Sequence, residues 1–391
     1  MNAIATPLLF AGPGRSIPDA VLAWEGREVA YAGPAVGWGG DAERVPGAVI
    51  PGLVDCHTHL PFVGWRGDEF EARLAGRSYR SVQGEGGGIL RSARMLAAAS
   101  DDEVLEFCRP LTREMLAHGT TALELKTGYG LSVEAELRHA RLARRLEGEI
   151  EQSCTVTLLT CHAVPPGRTR EEWVETACEE LIPRAVAEGL ADAVDVYVED
   201  IAFSIDDLER VADAAGRHGV PLRVHADQLG PSGAVEAACR LGARSADHLN
   251  HVSEEGARTL CRSPTVAVLL PASTFMLGLT PPPARALVDR GASIALATDF
   301  NPGTSPVLSM PEAIAIGCSL YRLQPTEAVA AATATAARVL GLEARLGTLE
   351  PGKRADFVVL DADRIEMVPY RPGHNPVRAT FVGGEMVSGA V

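Results

Sequence analysis

Between residues 52 and 299 the chain repeats one pattern: a short run of apolar and β-branched residues, then a longer stretch with apolar positions at helical spacing. Eight such runs occur, at 48–55, 120–125, 155–161, 194–199, 221–226, 244–248, 265–270 and 292–298. Strands alternating with helices predict a parallel α/β sheet. Eight units in roughly 250 residues match a closed (β/α)₈ barrel of the TIM type better than an open doubly wound sheet. The helical stretches carry start and stop signals. Ser204 stands three residues before Asp207, with Ile205, Leu208, Val211 and Ala212 as an apolar stripe and Gly219 as the stop. A second helix is predicted over 102–118, stopped by Gly119. The gap between the first two strands, from His59 to Gly119, contains Gly84, Gly86, Gly87 and Gly88, and predicts an extended loop over the barrel mouth.

The two ends read differently. Residues 1–48 are rich in Gly and Pro with short apolar runs, and strands are predicted at 357–360, 380–382 and 385–387. Neither end is long enough to bury a core of its own. They predict one small composite β domain from residues 1–48 and 346–391, flanking a barrel over 49–345.

Composition narrows the function. A net charge of −15 with only 36 Lys and Arg leaves no basic stripe for nucleic acid or an anionic membrane surface. An anionic substrate would be repelled by that field, so the site would have to supply a cation of its own. The eight cysteines include no C-x-x-C pair and read as reduced thiols. The first apolar run follows no positive charge and no apolar stretch reaches 18 residues, so the expectation is a cytoplasmic chain without a membrane span.

The densest chemical signal is Asp55-Cys56-His57-Thr58-His59 at the end of the first strand. Residues two apart on a strand project the same way, so His57 and His59 reach the barrel mouth together and can share one divalent ion. An isolated H-x-H is also compatible with a surface pair. His225 after strand five, His248 after strand six and Asp299 after strand eight fall on the same rim, where barrel enzymes place their catalytic groups. His57, His59, His225 and Asp299 make a three-nitrogen, one-oxygen set suited to zinc or iron(II), with room for water.

With these residues the chain resembles the amidohydrolase superfamily. Strand four ends in Val196-Tyr197-Val198-Glu199-Asp200 without a lysine, so the carbamylated-lysine bridge of the two-metal members has no candidate and one ion is expected. Within the superfamily the resemblance is to the imidazolonepropionase family and spans nearly the whole chain. It rests on Gly64-Trp65-Arg66-Gly67-Asp68-Glu69-Phe70, Gly86-Gly87-Gly88-Ile89, Lys126-Thr127-Gly128-Tyr129-Gly130-Leu131 and Cys161-His162-Ala163-Val164-Pro165-Pro166. It continues through His225-Ala226-Asp227-Gln228, Ser245-Ala246-Asp247-His248-Leu249 and Asp299-Phe300-Asn301-Pro302-Gly303-Thr304.

The resemblance implies hydrolytic ring opening of 4-imidazolone-5-propanoate to N-formimidoyl-L-glutamate, by a metal-activated water attacking the cyclic amide carbonyl. It implies that Arg66, Tyr129, His162, Gln228 and Thr304 contact the substrate and that Tyr129, Asn301 and Gly303 contact the product. Arg66 would then be the required cation, holding the propionate. Alone it reads equally as a surface salt bridge to Asp68 or Glu69, Tyr129 as a packed loop aromatic and His162 as a core histidine. Where some family members carry Glu, this chain has Gln228, which can orient a ring but cannot be a general base. Proton transfer then falls to His248 and Asp299, in a division the sequence leaves open. Two other functions use the same residues. One is an aminohydrolase that deaminates a heterocyclic base, which would leave Arg66 without an anionic partner. The other is a non-catalytic barrel, which the intact histidine set disfavours. A homodimer is left open.

Overall fold

The computed structural model describes residues 1–391, apart from the side chain of Tyr79. The eight barrel strands are β1 (Leu53–Asp55), β2 (Thr120–Lys126), β3 (Ser153–Cys161), β4 (Ala193–Val198), β5 (Leu222–Ala226), β6 (Ser245–His248), β7 (Val266–Leu269) and β8 (Ile294–Leu296). They pair in parallel in chain order from β1 to β8, as the alternation of runs predicts. The seam between β8 and β1 is closed by side chains and one bridge rather than by a ladder. Asp55 accepts from the Thr298 backbone N–H (3.1 Å) and hydroxyl (2.5 Å), and Thr58 pairs with Phe300 in a single parallel bridge. This seam sets the rim after β1 directly beside the rim after β8, so His57 and His59 face Asp299.

The run expected as one strand over 48–55 is two. Val49–Pro51 pairs antiparallel with Phe357–Leu360 in a second sheet, and only Leu53–Asp55 enters the barrel. Gly52 lies at the break, where a Cβ would stand 2.1 Å from the Thr121 hydroxyl; the chain must pass there as glycine to change sheets. That second sheet has eight strands drawn from both termini, including the long antiparallel pair Asn2–Gly12 and Arg15–Glu25. Its core gathers Leu9, Leu22 and Trp24 from one end with Phe357 and Phe381 from the other, so the two ends together bury what neither buries alone.

The segment after β1 is not the extended loop its glycines suggest. It folds as three helices, Gly67–Leu74, Tyr79–Gly84 and Gly88–Ala98, ahead of Asp101–Ala117. In the third, Ile89, Ala93 and Leu96 recur at helical spacing and are buried. Gly86 (φ +83°) is therefore a turn residue between helices, and Gly88 (φ +59°) opens the third of them. The helix predicted over 102–118 runs from Asp101 to Ala117, started by a reciprocal Ser100–Glu103 cap. Ile205–Arg217 begins as predicted at the Ser204–Asp207 capping box and packs Leu208, Val211, Ala214 and Ala215 against the barrel. Among the described residues, no helix is long and apolar enough to cross a membrane.

Candidate active site

Five predicted groups meet at the C-terminal rim of the barrel. The ligand atoms of His57, His59 and His225 lie within 4.8 Å of one another, as do those of His57, His248 and Asp299. His59 Nε2 is 3.2 Å and His57 Nε2 is 3.5 Å from Asp299 Oδ1. All five residues are buried. Backbone strain marks the same rim: His248 (φ +82°), Leu249 (φ +61°) and Asp299 (φ +55°) hold left-handed conformations that non-glycine residues seldom adopt.

The donor set fits a divalent ion. His57 Nδ1 is 2.6 Å from Asp247 and His225 Nδ1 is 3.0 Å from Asp195, and each carboxylate fixes the tautomer that leaves Nε2 with its lone pair. Those two Nε2 atoms are buried with no hydrogen-bond partner among the described residues, as is Nδ1 of His248. An unpartnered buried nitrogen is costly unless something else engages it. Burial also disfavours the charged imidazole, holding His57 well below the usual histidine range and His248 down at about 3. Burial would raise Asp299, but its hydrogen bond to His59 and the close approach of the His248, His59 and His225 rings hold it below the ordinary carboxylate value. Neutral imidazoles with one carboxylate are the protonation states that metal ligation requires.

Six of the other predicted residues, Arg66, Tyr129, His162, Gln228, Asn301 and Thr304, line one pocket with His59, His225, His248 and Asp299, whereas His57 and Gly303 lie behind its lining. Arg66 is not a surface residue. It is buried, its Nη1 donates to Ser92 at 3.2 Å and its Nε lies 3.4 Å from Glu69, whereas Asp68 pairs with Arg91. A Cβ on Gly303 would stand 2.0 Å from Arg66 Nη2, so that glycine is the cradle for the guanidinium. His162 Nδ1 is 3.1 Å from the Gly128 carbonyl, and Gly128 (φ +108°) could carry no Cβ without meeting that ring. The loop holding Gly128 and Tyr129 is clamped by Glu136, whose carboxylate accepts from the backbone N–H groups of Gly128, Gly130 and Leu131.

Gln228 is placed through its backbone. Glu199 Oε1 accepts from the N–H groups of Gln228 (2.6 Å) and Leu229 (2.8 Å), which leaves the amide side chain for the pocket. Asn301 is engaged mainly within its own loop. Its Oδ1 accepts from Gly303 N, Thr304 N and Thr304 Oγ1, and its Nδ2 donates to the Asp299 carbonyl. The sequence reading did not single out Asp195, Asp247, Glu136 or Glu199 for these roles. A usable signal existed for the first: a charge inside the buried run Val194-Asp195-Val196 has to find a partner.

A family model described as "Amidohydrolase family" matches residues 48–387. An imidazolonepropionase from Methylobacterium nodulans is 42% identical, the alignment covering 98% of each chain. One from Rubrobacter xylanophilus is 45% identical over 87% of this chain and 82% of its own. Among solved structures, a 5-methylcytosine deaminase from Klebsiella pneumoniae superposes with a TM-score of 0.76 at 17% identity, covering 100% of this chain and 98% of the other. An adenosine deaminase from Xanthomonas campestris with bound zinc gives 0.75 at 18%, over 98% and 92%. At such identities the structural likeness speaks for the fold alone.

Proposed function

The chain belongs to the amidohydrolase family and, within it, to the imidazolonepropionases, and from that premise we propose that its pocket hydrolyses the ring amide of 4-imidazolone-5-propanoate to N-formimidoyl-L-glutamate. The observation that carries the reading is one pocket lined both by imidazoles with unpaired buried nitrogens, those of His59, His225 and His248, and by the buried guanidinium of Arg66. A heterocycle bearing a propionate needs both.

His57, His59, His225 and Asp299 would hold the ion, and zinc and iron(II) both suit three nitrogens and one oxygen. A divalent ion there supplies Lewis acidity, easing ionisation of water and polarising a carbonyl. Arg66 binds the propionate as a fixed guanidinium. Gln228 can donate to the ring carbonyl and accept from a ring N–H, orienting the ring; Tyr129, His162 and Thr304 complete its surroundings. Water oxygen adds to the carbonyl carbon, the ring C–N bond breaks, and a proton passes from water to the departing nitrogen. Asp299, held ionised, takes the proton as base, and neutral His248 donates a hydrogen bond to the developing oxyanion. On release, Asn301, Gly303 and Tyr129 face the opened product. The eight free cysteines support a reducing, cytoplasmic setting.

The experiment is to incubate the zinc-loaded protein with 4-imidazolone-5-propanoate and follow loss of ring absorbance, product mass and ammonia together. Gain of one water with no ammonia is expected. Release of ammonia with the ring intact would instead identify a deaminase.

A further inference from the structure

The axis of the barrel below the pocket is filled by charge, where such barrels ordinarily stack branched apolar side chains. Lys126 Nζ lies 2.6 Å from Asp195 and 3.0 Å from Glu124, and Asp195 is the carboxylate on His225. On the other side Arg223 contacts the same Glu124 and places Nη2 3.2 Å from Asp247, the carboxylate on His57. All five charged residues are at most 1% exposed. Glu124 is thus the root of a fork whose two arms end at the unpartnered Nε2 atoms of His57 and His225. Strand geometry builds it: Glu124 and Lys126 are two apart on β2, and Arg223 and His225 two apart on β5, so each pair shares the inward face.

Stability does not account for the fork. Five buried charges cost several kcal/mol each to desolvate, and well-packed apolar side chains in their place are often as stable or more so. Orientation does account for it. Arg223 Nη2 also donates to the Cys56 carbonyl at 2.7 Å, immediately before His57, and its Nε donates to Ser245 two residues before Asp247. One guanidinium therefore holds the backbone entering His57 and the carboxylate that sets its ring. Lys126 does the second of these for His225, through Asp195.

We propose that Glu124, Lys126 and Arg223 are positioning residues for the ion, locking His57 and His225 so that both Nε2 atoms point to one site, with Glu124 coupling the two arms. The proposal rests on the reading of the pocket as a divalent-metal site. Outer partners of metal-ligating histidines typically contribute 10–100-fold to affinity.

The test uses the full chain stripped of metal and titrated with cobalt(II), read by chelator competition and by the visible ligand-field spectrum, with melting of the metal-free protein as control. Glu124→Gln, one link further out than the carboxylates to which that range applies, should weaken cobalt binding by its lower end, roughly 10-fold, and alter the spectrum. Arg223→Lys keeps the charge but cannot reach Glu124, Asp247 and the Cys56 carbonyl together, so it should shift affinity and spectrum in the same direction. If Glu124→Gln does not fold, Arg223→Lys decides alone. Wild-type affinity and spectrum in the folded variants, with only the melting temperature lowered, would reduce the fork to core filling and overturn the proposal. A wild-type protein that takes up no cobalt would sink the metal reading itself, and this proposal with it.

Discussion

The core of the terminal sheet is aromatic and apolar: the Phe357 and Phe381 rings stack with centroids 4.2 Å apart, and Trp24 packs tilted against Phe357 at 5.1 Å. The barrel axis is just as deeply buried, yet it holds Glu124, Lys126, Asp195, Arg223 and Asp247. Both regions exclude water, but they use the exclusion differently. Around Trp24, removing apolar surface from water is the gain. Beneath the pocket, low polarisability makes each ion pair directional and stiff, and the stiffness is delivered to two imidazoles. A substitution in the terminal sheet should therefore cost stability and spare chemistry, while one at the charged axis or the rim above it should reach metal binding and chemistry whatever it does to stability.

The two regions should differ most at the rim. His225→Ala should remove the bound ion and lower kcat/KM by about a thousandfold or more, as expected for a group acting as part of a unit. Elemental analysis beside the kinetics checks it; an active variant that keeps its metal would contradict the assignment. In the terminal sheet, Phe381→Ala should destabilise the protein by about 3–5 kcal/mol with metal content and kcat unchanged, measured by denaturant unfolding and assay of the folded fraction. Arg66→Met should lower kcat/KM at least about a hundredfold, since removing one partner of a buried charge pair costs about 3–5 kcal/mol, with metal content unaltered. An effect below threefold would return Arg66 to a structural role.

The smallest effect concerns Glu199. Burial raises its carboxyl to about 7, against the opposing N–H bonds from Leu229 and Gln228 and with further upward pressure from Asp227 and Asp200. A folded-state value above the unfolded one means that the stability this group contributes is fully present below about pH 4.5 and is lost as pH rises through 7. Glu199→Gln removes the titration, so its melting temperature should vary less between pH 5 and 8 than that of the wild type. Identical pH profiles would show that Glu199 does not ionise in that window.

What the sequence disclosed follows from how far each signal extends along the chain. His57 and His59 were legible because two residues on one strand end declare a shared direction by their spacing alone. The barrel was legible because its eight units repeat. The burial of Arg66 was not, because the cradle that buries it is Gly303, more than two hundred residues away. The division of residues 48–55 was masked because the apolar residues on both sides of Pro51-Gly52 suit either sheet; that dipeptide is the local sign of a break, and the close approach of Gly52 to Thr121 is why the chain changes sheets there. Helices at 67–98 were obscured because glycine spacing marks a turn as readily as a loop. The charged axis was partly written in the strands: Glu124 and Lys126, or Arg223 and His225, stand two apart within otherwise apolar runs. Their partners lie on other strands, so the pairing could not be read from one of them.

We propose that a single divalent ion, held at the rim by three histidines and Asp299, serves the opening of a cyclic amide. The most direct test is to titrate the metal-free protein with zinc while following hydrolysis of 4-imidazolone-5-propanoate. The expected curve rises linearly from no activity and breaks at one ion per chain. A break at two ions per chain, or full activity before any metal is added, would contradict it.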